Sequence, residues 1–494
     1  MTNNARLAAL KSSRRGRWLA LVVLCLGQLV IVVDGTVVNV ALPIIERELH
    51  FTQASLAWVV NAYLVTFGGL LLLAGRLGDL FGRRRIFLFG LGLFSASSAA
   101  CGFAESRELL IGARFVQGVG AACCSSMVLG ILVTLFPAPR ERGRAMIVYA
   151  LVANIGGSIG LLVGGALTQY LSWHWIFFIN VPIGVVGGAL ALALLDEHPG
   201  IGIHGGVDWV GGLLVVAAPT LATWAIVNAS AIGWGSTRTV GSFLGAAALG
   251  ALFLLNEAKV RRPLIPLRLL ATRRLGVANL ARFFHGFAMS PVFFCGALYL
   301  QHVLGYSAIR TGLGYFPLNL MIGLCSLLLV SRILRRFGPS RPIAPGFCLV
   351  AAGLLLLARA PLGGNYFTDV MPAFLLVGLG ASLVFLPTVT IAMAGAGSNE
   401  SGLASGLTNV TLQIGIAFGT AVAASISSIE TNRRLAAGAP LRLALTAGYH
   451  LAFVVTTAAP LLAAGLCLVA LRGFGPPAAV PDPAAGRARA LVAE

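Results

Sequence analysis

Charged residues are scarce in this chain. They make up 10% of its 494 residues, against roughly a quarter in a soluble domain of ordinary composition. Acids are the scarcer sign, 16 Asp and Glu against 35 Lys and Arg. Long polar stretches are absent between the apolar blocks, so there is no room for a soluble output domain of the kind a membrane sensor carries. No clustered nucleophile, metal-ligand set or paired interfacial carboxylates stand out, which argues against a membrane enzyme. The eight Cys (25, 101, 123, 124, 295, 325, 348, 467) lie in or beside apolar blocks with no zinc or haem spacing, and read as small packing residues. We therefore expect no metal and no cofactor.

What the chain has instead is apolar surface, 58% hydrophobic residues in blocks long enough to cross a bilayer as helix. Fourteen such blocks are read at about 18–41, 55–75, 86–104, 109–135, 146–171, 175–195, 208–228, 240–257, 275–302, 311–331, 342–361, 369–392, 404–427 and 448–471. The fold class is thus an all-α polytopic membrane protein of about 14 transmembrane helices. The net charge of +19 comes from basic residues in the short links. With both ends in the cytoplasm, about 25 of the 35 fall on the inner side, which satisfies the positive-inside rule. This explains the basic balance without nucleic acid, and no aromatic-plus-basic recognition segment is present. The cluster Arg14, Arg15, Arg17 precedes a full span with no cleavage site, so no cleaved signal is expected.

Two stretches recur at nearly one offset. GRLGDLFGRRR (75–85) aligns with SRILRRFGPSR (331–341), and NIGGSIGLLVGG (154–165) with NVTLQIGIAFGT (409–420), pairing Gly160 with Gly415 and Gly164 with Gly419. Fourteen spans then divide as six, two and six. The expected parts are a cytoplasmic N-terminus (1–17), an N-terminal six-helix bundle (18–195) and two inserted helices with a linker (196–274). A C-terminal six-helix bundle (275–472) and a disordered tail (473–494) follow. Duplicated bundles are a carrier design, with cargo bound between them near the midplane.

One acid breaks the first apolar block. Asp34 stands about sixteen residues into it, about 24 Å along a helix. A bare carboxylate in lipid costs several kcal/mol, roughly 3 on insertion scales, so it must face a cavity, pair with a cation or bind a proton. Burial favours its protonated form and a nearby cation its charged form, so a small rearrangement can switch it. The alternative is an acid at the helix end, capped by outer-leaflet water. Arg114, about 8 Å below the outer surface by the same rise, is the expected partner unless it snorkels outward. Arg282 and His285 are weaker candidates, Arg282 being close enough to the inner face to snorkel.

Several motifs together resemble one family. GRLGDLFGRRR is similar to the loop between spans two and three of the major facilitator superfamily, LLIGARFVQGVGAA (109–122) to its fourth-span motif, and DGTVVNVALP (34–43) to the first-span motif of its fourteen-span drug:proton antiporters. WHWIFFINVPIG (173–184), VDWVGG (207–212) and GLASGLTNVTLQIG (402–415) resemble the same multidrug efflux group. Two positions depart from it: Leu161 replaces the usual antiporter-motif Pro, and His174 the usual Arg. The resemblance implies a major facilitator fold, two six-helix bundles plus two inserted helices. It also implies export of amphipathic, cationic or neutral, drug-like molecules by alternating access, with the proton gradient as energy source. A narrow-specificity carrier of one metabolite on the same fold is the alternative.

The implied site has four parts. Asp34 and Arg114 couple protons. Trp58, Asn61, Tyr63, Gln117, Asn154, Tyr299, Gln301, Asn319, Asn409 and Gln413 are the polar and aromatic candidates for the substrate cavity, since polar groups avoid lipid. Gly75, Asp79, Gly82, Arg83 and Arg84 form a gating loop, where Asp79 is expected to meet a helix N-terminus or an Arg of a neighbouring link. Gly156, Gly160, Gly164 and Gly165 serve helix packing or a hinge. The expected partners are a small-molecule substrate and the lipid bilayer, without nucleic acid. The expected unit is a monomer in the cell membrane.

Overall fold

The computed structural model describes residues 13–197, 200–202, 206–270, 272–395 and 401–471. Thirteen of its helices are long and apolar enough to cross a membrane. In chain order the spans are α1 (Arg14–Glu48), α2 (Ala57–Phe81), α3 (Arg83–Gly102), α4 (Arg107–Leu135), α5 (Pro139–Tyr170), α6 (Trp175–Leu194), α7 (Trp209–Ile232), α8 (Thr237–Lys259) and α9 (Arg273–Val303). Then come α10 (Ala308–Phe337), α11 (Ile343–Leu357), α12 (Tyr366–Ala394), α13 (Ser401–Ala436) and α14 (Leu441–Ala470). With the shorter α11 they make fourteen. An even number of crossings puts the start of α1 and the end of α14 on one face, here called the terminal face.

Two boundaries differ from the sequence reading for physical reasons. The first helix does not stop near residue 41 but continues through Pro43 to Glu48, because Ile44 and Ile45 prolong its apolar pattern and the Ile45 side is fully buried. Asp34 is therefore fourteen residues from the far end of α1, about 21 Å, and lies near mid-helix rather than at a helix end. The eleventh helix is shorter than expected, ending at Leu357 ahead of a turn in which Gly364 N–H donates to Pro361 C=O. Its 15 residues rise only about 22 Å.

The repeat seen in sequence has a counterpart in packing. A Cβ on Gly160 would stand 3.0 Å from the Val33 carbonyl oxygen of α1, and one on Gly164 3.0 Å from that of Val37. On the other side, a Cβ on Gly415 would stand 2.1 Å from the Phe283 carbonyl oxygen of α9, and one on Gly419 2.4 Å from that of Phe287. Small residues thus bring α5 against α1 and α13 against α9 in the same way. The register matches Val33 with Phe283, so Asp34 corresponds to Phe284: the C-terminal half has no acid at that place. Gly156 meets Leu29 and Val32 on the same seam, whereas Gly165 faces Ala308 and Ile309 of α10, across the halves. Gly415→Ala is expected to destabilise the protein by about 1–3 kcal/mol through overpacking against backbone. Gly75→Ala, where an added Cβ meets nothing within 4 Å, should be neutral. Thermal unfolding of the purified protein checks both.

The halves meet along α2–α13 and α5–α10. Gly68 lies against the Cβ of Gln413 and Gly406 against Leu72, while Gly312 lies against the Leu161 carbonyl. At the face away from the termini polar contacts tie the halves together. Gln301 Nε2 donates to Val40 C=O at 2.9 Å, Gln53 Nε2 to Ser427 Oγ at 2.6 Å, and Ile309 N–H to Gln169 Oε1 at 3.3 Å. His302 Nε2 stands 3.8 Å from Glu46 Oε2. A π-helical turn, Tyr299–Val303, ends α9 where Gln301 and His302 reach across. The inserted pair is asymmetric: α7 seats Val216 on Gly69 and Gly212 on Leu73 of α2, and also packs on α13, while α8 packs chiefly on α7.

Candidate functional site

The centre of the N-terminal half holds a closed polar network around Asp34. The carboxylate is 0% exposed and the Arg114 side chain 1%. Arg114 Nη1 donates to Asp34 Oδ2 at 2.5 Å and to Gln117 Oε1 at 2.8 Å. Gln117 Nε2 and Asn180 Nδ2 donate to Asp34 Oδ1 at 2.8 and 3.1 Å. Asn180 Nδ2 also reaches Ser98 Oγ at 3.0 Å, and Ser98 donates to Phe177 C=O. Arg114 Nε donates to Val59 C=O at 2.9 Å, and its guanidinium lies 4.3 Å from the Tyr63 ring centroid. Five helices, α1, α2, α3, α4 and α6, contribute. Each oxygen of the acid and the Nε and Nη1 donors of the arginine are engaged, which is what lets the two charges persist away from water.

Arg114 stands in the expected place beside Asp34 and does not snorkel, while other positions differ from expectation. Tyr63 and Gln117 are fully buried in the Asp34 network, where Gln117 lies one turn from Arg114 on the same helix face. Tyr299 is buried with its hydroxyl on Pro361 C=O, and Gln301 is spent on the contact between halves. Trp58 is half-buried with its ring 6.0 Å from that of Phe115, and Asn61 is fully buried with neither amide atom hydrogen-bonded. Asn319 is half-buried with Nδ2 unpartnered, and Gln413 is half-buried on α2. Asn409 is exposed; the side chain of Asn154 lies outside the described residues. Asn180 and Ser98 went unread, although Asn180 is the polar residue of the quoted run FINVP.

The gating loop is held by its own half and by the start of the link that follows it. There Glu197 pairs with Arg85, and the Ile201 and Gly202 N–H groups donate to the Asp79 and Leu80 carbonyls. Asp79 meets neither a helix N-terminus nor an Arg of another link but Arg83, at 3.1 Å, and Arg83 Nη1 also donates to Gly130 C=O of α4 at 3.0 Å. Gly82 turns the chain from α2 into α3 at φ 99°, a backbone that favours glycine. At Gly75 an added Cβ would meet nothing within 4 Å, so no close approach requires glycine there. Arg84 donates to Leu192 C=O at 2.7 Å, and Arg85 pairs with Glu197. Together Asp79, Arg83, Arg84 and Arg17 border a cavity of about 580 Å³ at the terminal face. Among the described residues no cluster of three or more His, Cys, Asp or Glu could hold a metal ion.

Two paired helical halves, a shared seam and a charge pair buried in one of them define a polytopic membrane carrier. The chain belongs to the Major Facilitator Superfamily, whose family model matches residues 24–420. It is 37% identical over 422 residues to the puromycin resistance protein pur8 of Streptomyces alboniger, covering 85% of this chain and 84% of that one. It is 36% identical to the cephamycin export protein CmcT of Amycolatopsis lactamdurans, covering 86% and 87%. Among solved structures, the POT family transporter PepTSo superposes with a TM-score of 0.68 at 15% identity, covering 94% of this chain and 99% of that one, a likeness of fold.

Proposed function

We propose that this protein exports amphipathic drug-like small molecules in exchange for protons, by alternating access between its two halves. The observation that carries the reading is the sealed Asp34–Arg114 pair at mid-helix of α1. Relatives described as resistance and export proteins support the export direction. Protonation of Asp34 removes the charge that holds Arg114, and Gln117 and Asn180 lose a full carboxylate acceptor. The tie between α1 and its four neighbours then loosens. Val40, six residues further along α1, accepts the Gln301 bond from the other half, so a change at Asp34 is transmitted along one helix to the contact that closes the far face.

In this reading the termini face the cytoplasm, the molecule rests closed toward the outside, and a monomer is the working unit because one chain supplies both halves. No reaction on the cargo is needed and no cofactor is invoked. Cells loaded with a panel of fluorescent dyes should lose dye faster when they express the protein, and a protonophore should abolish the difference. Efflux that persists undiminished with the protonophore would remove proton coupling. Cysteines at Gln53 and Ser427 joined by a short bismaleimide should stop efflux, because the far face could not open; uncrosslinked cysteine variants should retain it.

A further inference from the structure

The C-terminal half buries a second arginine, and this one is unpaired. Arg282 of α9 is 1% exposed, so it does not snorkel to the inner face. Its Nε and Nη1 have no hydrogen-bond partner, and Nη2 reaches only Asn409 Oδ1, at a long 3.4 Å. The ring of Phe385 lies 4.3 Å from the guanidinium. One turn on, His285 is 6% exposed with Nδ1 unpartnered. Among the described residues no carboxylate stands against either. Arg114 shows what a buried arginine in this protein looks like when its counter-charge is supplied by the chain. A buried cation with two idle donors is costly unless something negative is bound.

The position of this arginine says where that something comes from. Asn409 lies on the stripe of α13 that runs Gly406, Asn409, Gln413, and its two neighbours on the stripe meet Leu72 and Gly68 of α2. Its exposed amide therefore faces the space between the halves, and Phe385 is also 40% exposed. The guanidinium meets the Asn409 amide oxygen and the Phe385 ring, both on exposed neighbours. Asn409 Oδ1 occupies the place of an acceptor without being a good one. Resting on the carrier reading above, we propose that Arg282, with His285 and Asn409, is an anion-recognising subsite in the wall of the cleft. Its ligand is an amphipathic molecule bearing an acidic oxygen group. That oxygen displaces the Asn409 carbonyl from Arg282, the Asn409 amide N–H turns to donate to it, and the Phe385 ring lies along the apolar body.

The test is binding by the full-length protein in neutral detergent, with 2-naphthoate and its uncharged isostere 2-naphthamide as probes. Naphthoate should bind at least about tenfold more tightly than naphthamide, a difference of about 1.4 kcal/mol. Arg282→Gln should erase that preference, bringing the two affinities together, while Arg282→Lys should keep part of it. Asn409→Asp covers the case in which Arg282→Gln misfolds: it supplies the missing carboxylate, and should raise the thermal midpoint while abolishing naphthoate binding. Equal affinity for the two probes, or a preference that survives either substitution, overturns the proposal. Short-chain phosphatidylglycerol added to the wild type separates two sources of the same chemistry: competition points to a lipid headgroup, its absence to cargo. Binding does not require transport, so naphthoate held by Arg282 with no gradient-driven movement would defeat the carrier reading alone. Proton-driven efflux without charge preference would defeat the anion subsite alone.

Discussion

Asp34→Asn in proteoliposomes is expected to reduce pH-gradient-driven movement of any dye the wild type exports to the level of protein-free vesicles, while exchange of that dye between the two sides continues. The reason is in the donor pattern. Oδ1 of Asp34 accepts from Gln117 and Asn180, and Oδ2 from Arg114, so both atoms of the side chain face donors. An amide offers only one acceptor and turns an N–H toward the others, yet it cannot take up or release a proton. Gln117 and Asn180 can flip their own amides to relieve the clash, which keeps the bundle assembled. Loss of exchange together with loss of coupling would mean that Asp34 is a structural group. Unaltered pH-driven movement would exclude it as the coupling acid.

Arg114→Met should cost about 3–5 kcal/mol of stability, because it leaves a fully buried carboxylate without its cation. The double variant Asp34→Leu with Arg114→Met should recover most of that loss, since no charge remains to bury. Arg282→Met should cost little or even stabilise, because that arginine has no carboxylate to abandon. Thermal unfolding midpoints of the four purified proteins, wild type included, decide the matter. A large loss for Arg282→Met and a small one for Arg114→Met would invert the electrostatic account given for the two halves.

Much of this was legible in the sequence, for reasons that can be stated residue by residue. Apolar block length and basic links specified fourteen crossings, since hydrocarbon thickness and positive charge constrain them directly. Asp34 and Arg114 stood out because charge within a span is expensive. Gly160, Gly164, Gly415 and Gly419 kept one offset because each must let a neighbouring backbone approach. Partners distant along the chain were not legible: Asn180 and Ser98 lie 82 residues apart, and no local spacing says that both converge on Asp34. The end of α1, read near residue 41, was not legible either, because Ile44 and Ile45 carry the apolar pattern past Pro43 to Glu48. Gln117 looked like a cavity residue because polarity within a span marks an inward face without saying inward to what. Arg282 looked peripheral because its nine-residue distance from the start of α9 is within reach of water for a flexible stem, and only tertiary packing closes that route.

The brevity of α11 has its own consequence. A hydrocarbon core is about 30 Å thick, and Ile343–Leu357 rises about 22 Å. Acyl chains beside that helix must bow or the leaflets dimple there, a mismatch that thicker membranes make worse. The exporter's working rate should thus depend on lipid chain length, with the strain concentrated on one flank of the C-terminal half.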